Sequence, residues 1–305
     1  MDLSIVITTR DRKQDLLDCV DSVKKSSFGN LTWEMLVVDD LSSDGTEKTS
    51  FEELRVKSGK IIHNKYQEMM VISRNTGARE ARGDYVLFID DDNIIDPDMI
   101  RILVDFYRKH PDYSVIGPSM YCLDDKKKYL DYQKIDLFTG HTIGTVDLSK
   151  SEVYESDGIP NVFMIKKEVF DKCGFFDEIL IQTWIEPDFA MKTRRDGYKC
   201  GMIPAARTYH KVRMEDNYKP RSMGGMFNQK AYCLIRNRMV FISRYGNFLN
   251  KAVFISIFSL FWPLAYSMFA VIYNRRDLVK MYWMGFFDGL VYFFTGKMRN
   301  SLRIS

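Results

Sequence analysis

Three adjacent carboxylates, Asp90-Asp91-Asp92, close the apolar run Tyr85-Val86-Leu87-Phe88-Ile89. Carboxylates this close repel one another and stay ionised together only when a cation or a set of donors compensates them. A hard divalent ion, Mg²⁺ or Mn²⁺, does so with one or two carboxylates and keeps its other positions for water and phosphate oxygens. The acids are therefore candidates for metal and diphosphate work. A purely structural reading stands beside this one: Asp92 or Asn93 starts the next helix, with Asp96 as its cap and Pro97 in its first turn. A cap needs one acid, and three are present. A second candidate lies in Trp184-Ile185-Glu186-Pro187-Asp188-Phe189. Pro187 suits the first helical position, which puts Glu186 at the cap, where the helix dipole favours the ionised form that a general base needs. The same arrangement describes a plain helix cap. His210, alone in Thr208-Tyr209-His210, reads by itself as an ordinary surface or core histidine.

The elements that must position these groups alternate. Leu3 to Thr8 reads as a buried strand, and Leu16, Leu17, Val20 and Val23 follow at helical spacing. Trp33 to Val38 is a second strand ending on Asp39-Asp40, Lys60 to His63 a third, Ser73 to Arg82 a helix and Tyr85 to Ile89 the fourth strand. This order predicts a doubly wound, mostly parallel α/β sheet. Such sheets bind ligands beyond the carboxyl ends of their strands. Those ends carry Thr8-Thr9-Arg10, Asp39-Asp40 and Asp90-Asp91-Asp92. Further on, Pro97 to Lys109 reads as a helix and Tyr121 to Gly158 as an aperiodic, polar and aromatic stretch assigned to substrate contacts. Asn161 to Ile165 is a strand, Lys167 to Cys173 a helix, Glu186 to Asp196 a helix stopped by Gly197, Lys199 to Ile203 a strand and Phe227 to Arg244 a helix.

Several classes are excluded. The loop from Asp40 lacks a glutamate at the twelfth position of a calcium loop, where Phe51 stands. Asp44-Gly45-Thr46 has Ser42 two residues before it, where an aspartyl phosphatase loop needs an acid. No GxGxxG follows the first strand and no GxxxxGK[ST] occurs, so neither a dinucleotide site nor a P-loop is supported. A net charge of +3 gives no global basic field, and no nucleic acid is expected as partner. Five scattered cysteines without a CxxC read as reduced thiols rather than a disulfide framework or a zinc site. The N-terminus opens directly into a strand pattern, and no cleaved signal peptide is expected.

Taken in order, Ser4-Ile5-Val6-Ile7-Thr8-Thr9-Arg10-Asp11-Arg12, Val37-Val38-Asp39-Asp40-Leu41-Ser42-Ser43-Asp44-Gly45-Thr46, Arg74-Asn75-Thr76-Gly77, Gly83-Asp84-Tyr85, Asp90-Asp91-Asp92, Gly174-Phe175-Phe176-Asp177-Glu178 and Glu186-Pro187-Asp188-Phe189 resemble a family-2 glycosyltransferase with the GT-A fold, over about residues 3 to 244. The resemblance implies a nucleotide-sugar donor, with Asp40 near the base, Arg74 and Asn75 beside it, and Thr8, Thr9 and Arg10 lining the pocket. It implies that Asp90 and Asp91 hold the ribose, that Asp90 and Asp92 hold Mg²⁺ or Mn²⁺, and that His210 joins the metal or diphosphate. Glu186 stands at the family's catalytic base, with Asp188 the next acid. Ile185 departs from the pattern by replacing the first acid of that segment. Arg236 and Asn237 resemble a pair near the acceptor side of rhamnosyltransferase-like members. The expected organisation is a catalytic domain over 1–244, with a donor half 1–118 and an acceptor half 119–244, followed by hydrophobic helices over 245–305.

Ala252 to Tyr273 carries no charge over a length that suffices to cross a bilayer, and Met281 to Gly296 is shorter, carries Asp288 and reads as interfacial. Eight Lys/Arg against Asp277 and Asp288 give Phe241 to Ser305 a surplus that suits anionic headgroups. The expectation is a metal-dependent, inverting transferase at the cytoplasmic face of a membrane, acting on a lipid-linked or glycan acceptor. The alternatives are a nucleotidyltransferase with a similar acidic metal site, a non-catalytic sugar-nucleotide-binding protein, and, for the tail, a helical pair packed on the domain or on a second copy.

Overall fold

The computed structural model describes residues 1–147, 149, 151–211, 228–299 and 301. Its first half follows the predicted alternation: β1 (Leu3–Thr9), α1 (Lys13–Lys24), β2 (Trp33–Asp39), β3 (Gly59–His63), α2 (Met69–Glu80) and β4 (Tyr85–Asp90). The four strands are parallel in the order β4-β1-β2-β3. β1 and β4 are mostly apolar because helices cover both faces, so Leu3, Ile5, Ile7, Leu87 and Ile89 are fully or almost fully buried, while buried Ser4 donates to Glu34 of β2 at 2.7 Å. Gly77 lets α2 lie hard against β1, since a Cβ there would come within 2.3 Å of Val6 Cγ1. Helix α2 begins four residues earlier than Ser73, at Met69, because the Asp40 carboxylate holds its start.

Asn93 opens a short strand, β5 (Asn93–Ile95), and not a helix. Helix α3 (Met99–Lys109) starts after Asp98, and Asp96 accepts from the Asp98 N–H in the turn ahead of it. The chain continues through β6 (Tyr113–Cys122), β7 (Lys128–Leu130), β8 (Tyr132–Asp136), β9 (His141–Thr145), β10 (Tyr154–Glu155), β11 (Val162–Lys166), α4 (Lys167–Cys173), α5 (Ile185–Arg195) and β12 (Lys199–His210). The stretch expected to lack periodicity thus holds four complete short strands, too brief to show alternation. Buried Asp131 organises it by accepting from Ser119 Oγ and the Asp147 N–H and pairing with Lys128 at 3.2 Å. The whole sheet has ten strands on the path β10-β12-β6-β11-β4-β1-β2-β3, with β5 beside β12 and β7 beside β6. β11 is antiparallel to both β4 and β6. β12 runs on past Ile203 to His210, because a register shift between Ile203 and Arg207 absorbs Pro204 without ending the pairing with β6.

Among the described residues three helices follow the last strand: α6 (Asn228–Tyr245), α7 (Phe248–Ile272) and α8 (Asp277–Thr295). α7 contains one π turn, Phe254–Phe258, and carries Pro263 in its second half. The chain divides into two compact units. One comprises Met1–Lys134, Gly144–Phe176 and Phe189–Val212, and the other Ile135–Ile143, Asp177–Asp188 and Arg213–Ser305. Helix α6 therefore groups with the C-terminal helices and not with a domain ending at residue 244. The cause is close packing: a Cβ on Gly285 of α8 would meet the Tyr232 carbonyl of α6 at 2.4 Å. Asp288 is correspondingly not interfacial. It is buried in α8 and accepts from Tyr232 Oη at 2.6 Å and Ser301 Oγ at 2.8 Å.

Candidate functional site

In the first unit the acids sit where β4 stops, beside the end of β1, with Thr8 opposite Asp90 in the register. Two arginines supply much of the compensation that the cluster requires. Arg74, itself buried, donates to Asp90 Oδ1 at 2.7 Å and lies over the Phe163 ring at 5.1 Å. Arg12 places one Nη1 between Asp91 Oδ1 at 3.1 Å and Asp92 Oδ2 at 3.0 Å. Burial works against the Arg12 charge, yet the two aspartates outweigh it and raise its pKa. Asp91 also accepts from Thr9 Oγ1 at 2.8 Å, and burial pushes its carboxyl up to about 7 despite Arg12. Asp91 is thereby a buried anchor for the β1 and β4 ends. Arg12 was legible only as a basic residue in the turn after β1; its role appears once β1 and β4 are known to be neighbours.

Asp92 faces the imidazole. His210 Nε2 is 3.3 Å from Asp92 Oδ1, and the other ring nitrogen, Nδ1, is 3.2 Å from Tyr129 Oη. The pairing of β12 with β5 sets this up, because His210 stands opposite Asn93. A carboxylate oxygen and an imidazole nitrogen side by side are ligand types that suit Mn²⁺ or a similar divalent ion, and the second ring nitrogen is held by the Tyr129 hydroxyl. The residues therefore fit a cation bound by Asp92 and His210. Among the described residues no group of three His, Cys, Asp or Glu converges as a closed site, so further ligands would come from water and donor oxygens. Asp90 is engaged by Arg74 and belongs to the rim of this pair.

The remaining donor-side residues divide. Arg10 keeps Nη1 buried without a hydrogen-bond partner among the described residues, a cationic donor with capacity left for an anion. Thr8 is half-buried at the β1 end. Asp40 bonds the backbone instead: its two oxygens accept from the N–H groups of Glu68 at 2.8 Å and Met69 at 3.0 Å, and from Asn64 Nδ2 at 3.0 Å. Asn75 clamps Phe176, donating to its carbonyl at 2.9 Å and accepting from its N–H at 3.1 Å. The structure thus gives Asp40 and Asn75 backbone-holding roles, and Asp44 likewise accepts from the Lys13 and Thr46 N–H groups.

In the second unit, α5 begins at Ile185, so Glu186 lies inside its first turn and not at the cap. Between residues 184 and 190 Glu186 alone is half-buried; its neighbours are all buried. Asp188 is one of those neighbours. Arg244 holds it at 2.8 Å and Tyr245 Oη donates to it at 3.0 Å, while burial raises its pKa against the Arg244 pull. Asp188 is a buried ion-pair partner. Arg236 and Asn237 hold the loop ahead of α5. Asn237 Nδ2 donates to the carbonyls of Leu180 at 2.7 Å, Gln182 at 2.8 Å and Thr183 at 3.1 Å, and Arg236 donates to that of Ile179. The loop needs holding because Ile181, Thr183 and Trp184 all have positive φ, which costs a β-branched or bulky residue free energy. Asn237→Ala leaves three carbonyls without this donor and should lower stability by about 1–3 kcal/mol. A thermal melt showing no change would remove the clasp.

This order of strands, with acids at the end of β4 and a histidine returned to them by the last strand, is the GT-A class of α/β fold. The chain matches Glycosyl transferase family 2 over residues 4–174, more than half of its length, and belongs to that family. It is 29% identical over 125 residues to the putative glycosyltransferase EpsE of Bacillus subtilis, covering 40% of this chain and 44% of that one. It is 32% identical over 94 residues to the UDP-Glc:alpha-D-GlcNAc-diphosphoundecaprenol beta-1,3-glucosyltransferase WfgD of Escherichia coli, covering 30% and 35%. Its fold is similar to that of GalNAc-T7, solved with UDP, GalNAc and Mn²⁺, with a TM-score of 0.68, 18% identity and coverage of 83% of this chain and 50% of that one. The chain spans half or less of the length of each of these proteins.

Proposed function

We propose that the protein is an inverting, divalent-metal-dependent glycosyltransferase that moves a sugar from a nucleotide-sugar donor to a lipid-linked or cell-surface glycan acceptor, at the cytoplasmic face of a membrane. The observation that carries this reading is the Asp92–His210 pair at the end of β4, within an acidic cluster that Arg12 and Arg74 compensate. A bound Mg²⁺ or Mn²⁺ would act there as a Lewis acid on the departing diphosphate. Arg10, with Nη1 available, adds positive charge for the same anion. Glu186 is assigned the acceptor hydroxyl proton, because it is the half-buried carboxylate of its turn. The GalNAc-T7 structure contains UDP and Mn²⁺, and the name of WfgD specifies a diphosphoundecaprenol-linked acceptor; both agree with the assignment.

The test is donor turnover. Purified full-length chain is incubated with UDP-, GDP- and dTDP-sugars, with Mn²⁺ or with a chelator, and the released nucleotide is identified. Metal-stimulated release of nucleoside diphosphate from one donor is expected. Pyrophosphate released from a nucleoside triphosphate would replace this reading by a nucleotidyltransferase, and donor binding without turnover at any acceptor would replace it by a binding protein.

A further inference from the structure

Helix α7 carries a long apolar surface that the fold leaves uncovered. Ile257, Phe261, Leu264, Met268 and Ile272 recur at intervals of three or four residues and therefore share one face, and they are 57%, 49%, 51%, 56% and 62% exposed. An exposed row of this size marks an interaction surface. The opposite face is joined to protein at mid-helix. Trp262 Nε1 donates to the Thr139 carbonyl at 2.6 Å, and its ring stacks on His141 at 5.7 Å between centroids. Arg238 of α6 lies over the same indole at 4.0 Å and reaches Tyr266 Oη at 3.4 Å. Ser259, Pro263 and Ala270 are buried on this side.

This arrangement conflicts with a span. A spanning helix would carry its midpoint, and with it an arginine, an exposed histidine and the turn between β8 and β9, to the depth of the hydrocarbon core. Irregular backbone and charge at that depth are not tolerated when they face lipid. A helix lying in the interface meets both demands, since its outer row enters the acyl boundary while its inner face stays on the protein. Charge selects the leaflet chemistry. Arg276, Lys280 and Lys297 are exposed around α7 and α8.

We infer that α7 binds an anionic bilayer in the plane of one leaflet, through the row Ile257 to Ile272, and does not cross it. This rests on the membrane placement proposed above and specifies its mode. At about 1.5 Å per residue the helix lays roughly 37 Å of its length along the surface.

The experiment uses the full chain in a Cys173→Ser background, because Cys173 is the one free cysteine among the described residues that is not buried. Vesicles of phosphatidylcholine, with and without phosphatidylglycerol, are floated after the protein is added from outside. Single thiols are placed at Lys48→Cys, an exposed position far before α7 in sequence, and at Asn274→Cys, just after it. Flotation should require phosphatidylglycerol and weaken with salt, and both thiols should react with a membrane-impermeant maleimide added outside. The pair Leu264→Glu and Met268→Glu, both exposed, should cut the bound fraction about tenfold or more while the melting temperature and donor hydrolysis stay unchanged. A protected Asn274→Cys would overturn the inference in favour of a span. Dimer formation without flotation would overturn it in favour of a second copy, and flotation indifferent to the glutamates would also overturn it. Flotation with both thiols reactive, but without transfer to any lipid-linked acceptor, supports the binding mode and sinks the acceptor reading alone.

Discussion

Glu186→Gln is expected to lower sugar transfer by roughly 10² to 10⁴ while donor affinity changes little. Glutamine keeps the size and hydrogen-bonding reach of the side chain but accepts no proton from an acceptor hydroxyl. The surroundings make the experiment clean. Ile185, Pro187, Asp188 and Phe189 are buried and hold the first turn of α5, and the melting temperature of the variant, measured alongside, checks that the fold is kept. Asp188 cannot take over, since Arg244 and Tyr245 occupy the carboxyl oxygen that faces them and burial encloses the group. Transfer and donor binding are measured in parallel. Undiminished transfer in the variant would take the base role away from Glu186, and equal loss of transfer and donor binding would turn Glu186 into a binding residue.

Asp92→Ala should abolish the metal-dependent part of donor binding, a loss of about 10² or more in affinity at saturating Mn²⁺. The substitution removes the carboxylate that faces His210 and leaves Arg12 its second partner, Asp91, at 3.1 Å. Isothermal titration of donor with Mn²⁺ or with chelator separates the metal contribution from the rest. The chelator arm should be almost the same in wild type and variant. Asp91→Asn is the contrasting change. It alters a buried group held by Thr9 and Arg12, so its main effect should be on stability. Metal-stimulated binding that survives Asp92→Ala would reject the assignment of the cation to the Asp92–His210 pair.

Much of this was legible in the sequence because it rests on local pattern. Largely apolar runs that stop on polar residues located β1, β2 and β4 and put Thr8, Asp40 and Asp90 to Asp92 at their ends, since a buried parallel strand is mostly apolar and a ligand-bearing edge is not. The stretch from 121 to 158 was not legible, because strands of two to five residues leave no period to read and their centre is a single buried aspartate, Asp131. The start of α2 is not legible for a related reason: the carboxylate that accepts from its first N–H groups, Asp40, lies 29 residues before Met69.

What the sequence determined alone is the alternation of strands and helices, the acidic end of β4 and the family to which the motifs belong. Tertiary structure decided which partner each of the acids meets. Arg12, 79 and 80 residues from Asp91 and Asp92, and Arg74, 16 residues from Asp90, neutralise their partners only because β1, α2 and β4 are packed together. His210 reaches Asp92 only because β12 continues past Pro204 and pairs with β5. For α7 the tertiary structure adds which face is joined to protein. Its length and composition are equally compatible with a span, an interfacial helix or a core helix, and the distinction lies in which face carries hydrogen bonds to the protein. Trp262 and Tyr266 make those bonds, and Ile257 to Ile272 are left facing outward.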